Sequence, residues 1–112
     1  MPEQGDIVLI PIPFTDLTAT RRRPVIIVSN NQYNSSTQDV VVVAMTSNLD
    51  TAPYSFEISS ADLAEGSLNR PSRVRVDKIY TLAASIIVKR FGKVNDATLD
   101  RIRQLLADLT RA

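Results

Sequence analysis

The chemistry open to this chain is set first by what it lacks. Neither histidine nor cysteine occurs among its 112 residues. That removes the usual general base at neutral pH, the thiolate nucleophile and the commonest zinc ligands. Any catalysis must run on Asp, Glu, Arg, Lys, Ser, Thr or Tyr. The net charge is only +1, yet the basic residues gather in two islands. Arg21, Arg22 and Arg23 are consecutive. Between residues 70 and 93, Arg70, Arg73, Arg75, Lys78, Lys89, Arg90 and Lys93 are opposed by the single acid Asp77. Such islands in a near-neutral chain suggest a local anion site more than a general polyelectrolyte surface. Lys and Arg also serve on strand edges to block edge-to-edge association, and the charge pattern supports both readings equally.

The second island has a finer pattern. Arg73, Arg75 and Asp77 alternate with Val74 and Val76. The two-residue period of a strand puts the three charged side chains on one face and the two valines in a core. A guanidinium grips a phosphate or carboxylate through two parallel hydrogen bonds, which lysine cannot do. The face therefore reads either as an anion-binding arginine pair beside a carboxylate or as a surface ion pair that adds little to stability. In the first island, Pro24 biases Arg23 toward an extended backbone.

The elements that must position these groups are mostly short strands. Residues 6–14 (DIVLIPIPF) are apolar and β-branched, but Pro11 and Pro13 cannot donate to a ladder. The expected strand is therefore an edge, is bulged, or ends near Ile10. Residues 24–29 (PVIIVS) and 39–46 (DVVVVAMT) are continuous apolar runs of strand length, the latter too β-branched for a comfortable helix. Residues 15–22 read as a polar connection, 30–36 as a turn-rich loop and 47–53 as a second loop. Residues 54–58 alternate as a half-exposed strand, 59–69 connect, with one helical turn over residues 60–64, and residues 73–77 and 86–93 are further strands. Asn95 or Asp96 can cap a helix in which Leu99, Ile102, Leu105, Leu106 and Leu109 recur at helical spacing. Several short strands followed by one helix predict a single, mainly β domain over residues 1–112, a small barrel closed or covered by the terminal helix. Hydrophobic residues make up 44% of the chain and aromatics 5%, so Val, Ile and Leu must fill the core. The acidic start lacks the basic opening of a secretory signal, and no apolar run approaches the roughly 20 residues of a membrane span. A cytoplasmic protein is expected.

Several stretches, in order, resemble the MazF/PemK toxin family. They are Gly5-Asp6-Ile7-Val8, then Arg23-Pro24-Val25-Ile26-Ile27-Val28-Ser29 with Asn30 and Tyr33-Asn34 after it, then Val41-Val42-Val43-Ala44-Met45-Thr46-Ser47. Val74-Arg75-Val76-Asp77-Lys78-Ile79-Tyr80-Thr81-Leu82 resembles the family's late strand, and Phe91-Gly92-Lys93-Val94 and the closing helix occupy the expected places. The resemblance spans nearly the whole chain. It implies an SH3-like barrel of the CcdB/Kid/MazF type, usually a homodimer. It also implies sequence-specific endoribonuclease activity toward short single-stranded RNA sequences, with messenger RNA the expected class, and a cognate antitoxin whose partly disordered segment covers the RNA groove.

On that resemblance Arg23, Thr46, Arg75 and Asp77 are the expected catalytic residues. Arg23 matches the arginine before the proline that opens the second strand, and Thr46 the threonine that ends the third. Arg75 and Asp77 match the Arg-x-Asp pair to which the plasmid-borne Kid/PemK branch owes its acid–base chemistry. Arg21, Arg22, Ser47 and Arg73 are the expected RNA contacts. RNA carries its own nucleophile, the ribose 2′-hydroxyl, so neither metal nor cofactor is expected. An arginine is a poor literal acid at neutral pH, and an aspartate beside it a weak base. Electrostatic stabilisation by Arg23 and Arg75 is therefore favoured, with Asp77 as base or as the anchor of Arg75. The loop at residues 15–20 departs from the family pattern: it lacks the Glu-Gln-Gly-like segment of many members and the histidine of the Kid branch. Single-stranded RNA is commonly held by stacking, for which Phe14, Tyr33, Tyr54, Phe56, Tyr80 and Phe91 are available. Two readings compete with the ribonuclease: a gyrase-poisoning binder like CcdB, which relies on a C-terminal tryptophan absent here, and a plain SH3-like interaction module.

Overall fold

In a computed structural model, residues 2–12 and 21–112 are described. The strands are β1 (Asp6–Ile12), β2 (Arg21–Ile27), β3 (Asp39–Thr46), β4 (Ser55–Ile58), β5 (Leu63–Glu65), β6 (Ser72–Ala83) and β7 (Lys89–Val94). Among the described residues there are two α-helices, α1 (Asn31–Ser36) and α2 (Asp96–Thr110). All strand pairs are antiparallel, and the order across the sheet is β4-β6-β3-β2-β1-β7-β5.

The connectivity forces the sheet to curl. Its outermost strands, β4 and β5, are consecutive in the chain and joined only by Ser59 and the 3-10 turn Ser60–Asp62. That link spans no more than about 18 Å. Laid flat, the seven strands would separate these edges by roughly 29 Å. A mainly β, curled half-barrel with a C-terminal helix results, in line with the SH3-like expectation. Helix α2 is capped by Asn95, whose side chain accepts from Thr98 N at 2.9 Å, and tied to the link between β4 and β5 by the Thr98 hydroxyl, which donates to Asp62 O at 3.0 Å. Its Leu99 and Ile102 enter the concave core with Ile7, Ile26, Val43, Met45, Phe56, Val74 and Val76. A second buried cluster, including Val8, Ile10, Val25, Ile27, Val40 and Val42, lies apart from it, with Ala84, Ile86 and Ile87 packed against it. Burial on both faces explains why β1, β2 and β3 read as continuous apolar runs rather than alternating ones.

Of the three alternatives for the first strand, edge, bulged or ending near Ile10, the bulge is found: β1 is interior, between β2 and β7, and reaches Ile12. Its bulge lies between Ile7 and Val8 on the β7 side, and Pro11 sits beyond Leu9, the last residue paired with β7; among the described strands β2 alone pairs with it. Two other expectations are corrected. Within residues 30–36 there is a helix: Asn30 caps α1 by accepting from Tyr33 N at 2.8 Å, and buried Asn34 donates to Ser29 O at 3.0 Å. The fifth strand, Leu63–Glu65, and the full length of β6 exceed what alternation indicated, because both are defined by partners distant in sequence. Among the described residues no helix is long and apolar enough to cross a membrane. The loop at 15–20 and Phe14 lie outside the described residues.

Candidate active site

The C-terminal half of β3 loses its β2 partner after Ala44 and meets β6 across a register shift. Toward β2, the ladder ends at the pair Val25↔Ala44. The next residue back along β2 is Pro24, whose missing N–H cannot continue it. Toward β6, pairing jumps from Val43↔Ile79 to Ala44↔Arg75, so Val76, Asp77 and Lys78 have no β3 partner. The excursion is held from the other side by a hydrogen bond from Val76 N to Tyr54 O at 3.0 Å. Tyr54 itself takes φ 53°, a left-handed conformation that non-glycine residues rarely adopt. Bulges of this kind re-aim side chains.

Opposed residues in an antiparallel pair share a face. Ala44 and Thr46 are opposite Arg75 and Arg73, and Ala44 is also opposite Val25. By the two-residue period Arg23 joins them, while Val74 and Val76 are buried in the concave core as alternation predicts. Two depressions meet on this face. One, of about 250 Å³, is lined by Arg23, Pro24, Val25, Ala44, Met45, Thr46 and Tyr80. The other, of about 160 Å³, is lined by Thr46, Asn48, Asp50, Thr51, Ala52, Arg73 and Arg75. Thr46 belongs to both.

The charged groups are in different states. The Arg23 side chain is half-buried and makes no hydrogen bond or ion pair among the described residues. The Thr46 hydroxyl accepts from Asn48 N at 3.1 Å and keeps its own proton for an outside acceptor. Arg75 forms a two-bond fork with Asp77, Nε to Oδ1 at 3.0 Å and Nη2 to Oδ2 at 2.9 Å, both side chains a little over one quarter exposed. That hydrogen bonding, then the positive charge of Arg75, hold the Asp77 carboxyl below its ordinary range. Arg75 is pushed up by its hydrogen bonds to Asp77 and by that carboxylate's charge, against a smaller opposing effect of burial. Asp77 is therefore a poor base and Arg75 a poor acid.

The structure thus brings Arg23, Thr46, Arg73, Arg75 and Asp77 to one face. Arg73 is largely committed: it donates to Leu49 O at 3.3 Å and to Ser55 Oγ at 3.0 Å, and so ties down the loop after β3. Ser47 is exposed just past β3 and lines neither depression. Arg21 and Arg22 are exposed on β2 opposite Ile12 and Pro11. Sequence reasoning named no function for Asn48, Asp50 and Thr51, and held Tyr80 only as one of several aromatics. Loop composition carries no signal for the former, and Tyr80 reaches the site through the β6 excursion. Of the other aromatics, Phe56 is buried beneath the Arg101 guanidinium, 4.4 Å from its ring centroid.

A curled antiparallel sheet closed by a C-terminal helix, with an arginine–threonine face at the end of its third strand, defines a small β-barrel toxin class. Residues 3–110 match the family model for the PemK-like, MazF-like toxin of type II toxin–antitoxin systems, and the chain belongs to that family. It is 34% identical over 85 residues to endoribonuclease MazF1 of Mycobacterium bovis, covering 76% of this chain and 75% of the relative. Among solved structures it resembles an endoribonuclease from a mycobacterial species, with TM-score 0.74 and 31% identity over 96% of this chain and 88% of that one. It also resembles a mycobacterial endoribonuclease in complex with its cognate antitoxin, with TM-score 0.73 and 28% identity over 96% and 93% of the two chains.

Proposed function

We propose that this toxin-family chain is a metal-independent endoribonuclease that cuts single-stranded RNA where β2, β3 and β6 meet. The observation that carries the reading is the convergence of Arg23 and Arg75 on either side of Thr46, the one residue common to both depressions. Backbones two strands apart are roughly 10 Å from each other. Two arginine side chains can reach across that gap to one phosphate.

Arg23 grips the non-bridging phosphate oxygens, and the Thr46 hydroxyl donates to one of them. Arg75 faces the charge that builds as the ribose 2′-oxygen attacks phosphorus. The bond to the 5′-oxygen breaks, leaving a 2′,3′-cyclic phosphate and a 5′-hydroxyl; water takes up the 2′-hydroxyl proton and supplies one to the departing oxygen. Asp77 anchors Arg75 rather than acting as the base, because its oxygens are already engaged. Arg21 and Arg22 steer the RNA backbone toward the site, and Ser47 contacts RNA from the rim. Messenger RNA is the proposed substrate class. Two copies of the chain pair, and a cognate antitoxin neutralises the pair by covering the arginine face. The solved mycobacterial relative bound to its antitoxin supports that partner.

The test is incubation of purified protein with a long unstructured RNA in excess EDTA. Cleavage is expected, with cyclic phosphate ends, and should be lost in Arg23→Ala and strongly reduced in Thr46→Val at unchanged circular dichroism. RNA left intact at high protein concentration would overturn the ribonuclease reading. Cleavage that needs added divalent metal would overturn its metal-free chemistry.

A further inference from the structure

The cavity beside Arg23 has a make-up that phosphate binding does not require. Its charged and hydroxyl groups, Arg23 and Thr46, stand with Pro24, Val25, Ala44 and Met45, and Tyr80 completes the lining. A phosphate needs the first two; it gains nothing from apolar residues and an aromatic ring. The opening exists because Pro24 stops the β2–β3 ladder, so it is built into the backbone rather than left by a side-chain rotamer. Tyr80 is placed on β6 opposite Val42 of β3, partly buried against the second core cluster, so its ring is held in place. Val42 and Ala44 are two residues apart on β3, so Tyr80, opposite Val42, shares the face that carries Ala44 and Arg75.

A planar, mostly apolar group attached to the gripped phosphate fits this arrangement. In single-stranded RNA that group is a nucleobase, which is free of a pairing partner and stacks on aromatic faces. We propose that this cavity seats the nucleobase of a nucleotide adjoining the cut, with Tyr80 as its stacking wall. The inference rests on the ribonuclease reading for the position of the phosphate. It assigns Tyr80 a role in holding substrate, and it makes the cavity a reader of base presence more than base identity. Stacking tolerates any of the four bases, whereas the neighbouring depression offers Asn48, Asp50 and Thr51, which can hydrogen-bond base edges.

The experiment uses a short single-stranded RNA containing one mapped cut, with an abasic residue placed in turn at each nucleotide around it. Cleavage and binding by fluorescence anisotropy are measured in parallel for the wild type, Tyr80→Phe and Tyr80→Ala. Binding is read on RNAs carrying a 2′-deoxy nucleotide at the cut. In the wild type, one position is expected to lose about tenfold when abasic, and less when its base is exchanged for another. Tyr80→Phe should keep that penalty, since the ring remains. Tyr80→Ala should weaken the intact RNA by a similar factor and show no further loss at that position. A full abasic penalty persisting in Tyr80→Ala, no sensitive position, or exchange as costly as removal would each overturn the proposal. If binding shows the expected pattern but the mapped cut persists undiminished in Arg23→Ala, and so comes from a co-purifying nuclease, the base pocket stands and the ribonuclease reading falls. If the RNA is cut but the losses from Tyr80→Ala and base removal simply add, the ribonuclease reading stands and the base pocket falls.

Discussion

A carboxylate held in a two-bond fork by a guanidinium is a poor proton acceptor, and that decides how Asp77 is used. Its pKa is lowered from the ordinary 3.8, first by the hydrogen bond from Arg75. A group whose folded pKa is depressed contributes stability above its unfolded value and loses that contribution as pH falls through the folded one. The stability gap between wild type and Asp77→Asn should therefore be constant at neutral pH and close only below about pH 3.8. Denaturant titrations across acidic pH measure it. Cleavage should show no limb belonging to Asp77 near neutrality, and Asp77→Asn should lower the rate at every pH by letting Arg75 drift. A limb near pH 6–7 that disappears in Asp77→Asn would instead make Asp77 a general base with a raised pKa. The pairing of Arg75 with Asp77 was legible in the sequence from the alternation of residues 73–77. That Arg23 has no partner among the described residues was not legible, because it depends on which side chains fold up beside it.

At the scale of elements, the site is a defect placed between two ladders. Pro24 ends the pairing of β2 with β3, and the unpaired Val76, Asp77 and Lys78 interrupt that of β6 with β3. Pro24→Val restores an N–H and a β-branched side chain where the ladder stops. Hydrogen exchange is expected to show a newly protected amide at position 24, and the cavity beside Arg23 should narrow, with cleavage falling although no charged group has changed. Wild-type cleavage together with a protected amide would show that the opening is dispensable. Sequence reasoning placed six of the strands from apolar runs and alternation, and the capped terminal helix from its leucine spacing. It missed β5, three residues long, and α1, six residues long. Segments that short are stabilised by their tertiary partners rather than by local propensity.

For the whole molecule, α2 covers the concave core and is tied to the link between the outermost strands by the Thr98 hydroxyl. Ile102 is fully buried in the concave core, so Ile102→Ala is expected to cost about 2–5 kcal/mol, read as a lower midpoint in chemical denaturation. A loss under about 1 kcal/mol would mean that the helix covers the barrel without supporting it. The chain by itself determined the mainly β composition, the helix that follows, the exclusion of histidine and thiolate chemistry and the residue types able to hold a phosphate. These follow from local properties: side-chain chemistry, two- and 3.6-residue periodicity, and capping. Only the tertiary structure decided that Arg23, Thr46 and Arg75 share a face, that Arg73 is spent on a loop, and that Tyr80 walls the cavity. Those relations join residues more than twenty positions apart. They arise from strand register and from where pairing breaks, which no short window of sequence encodes.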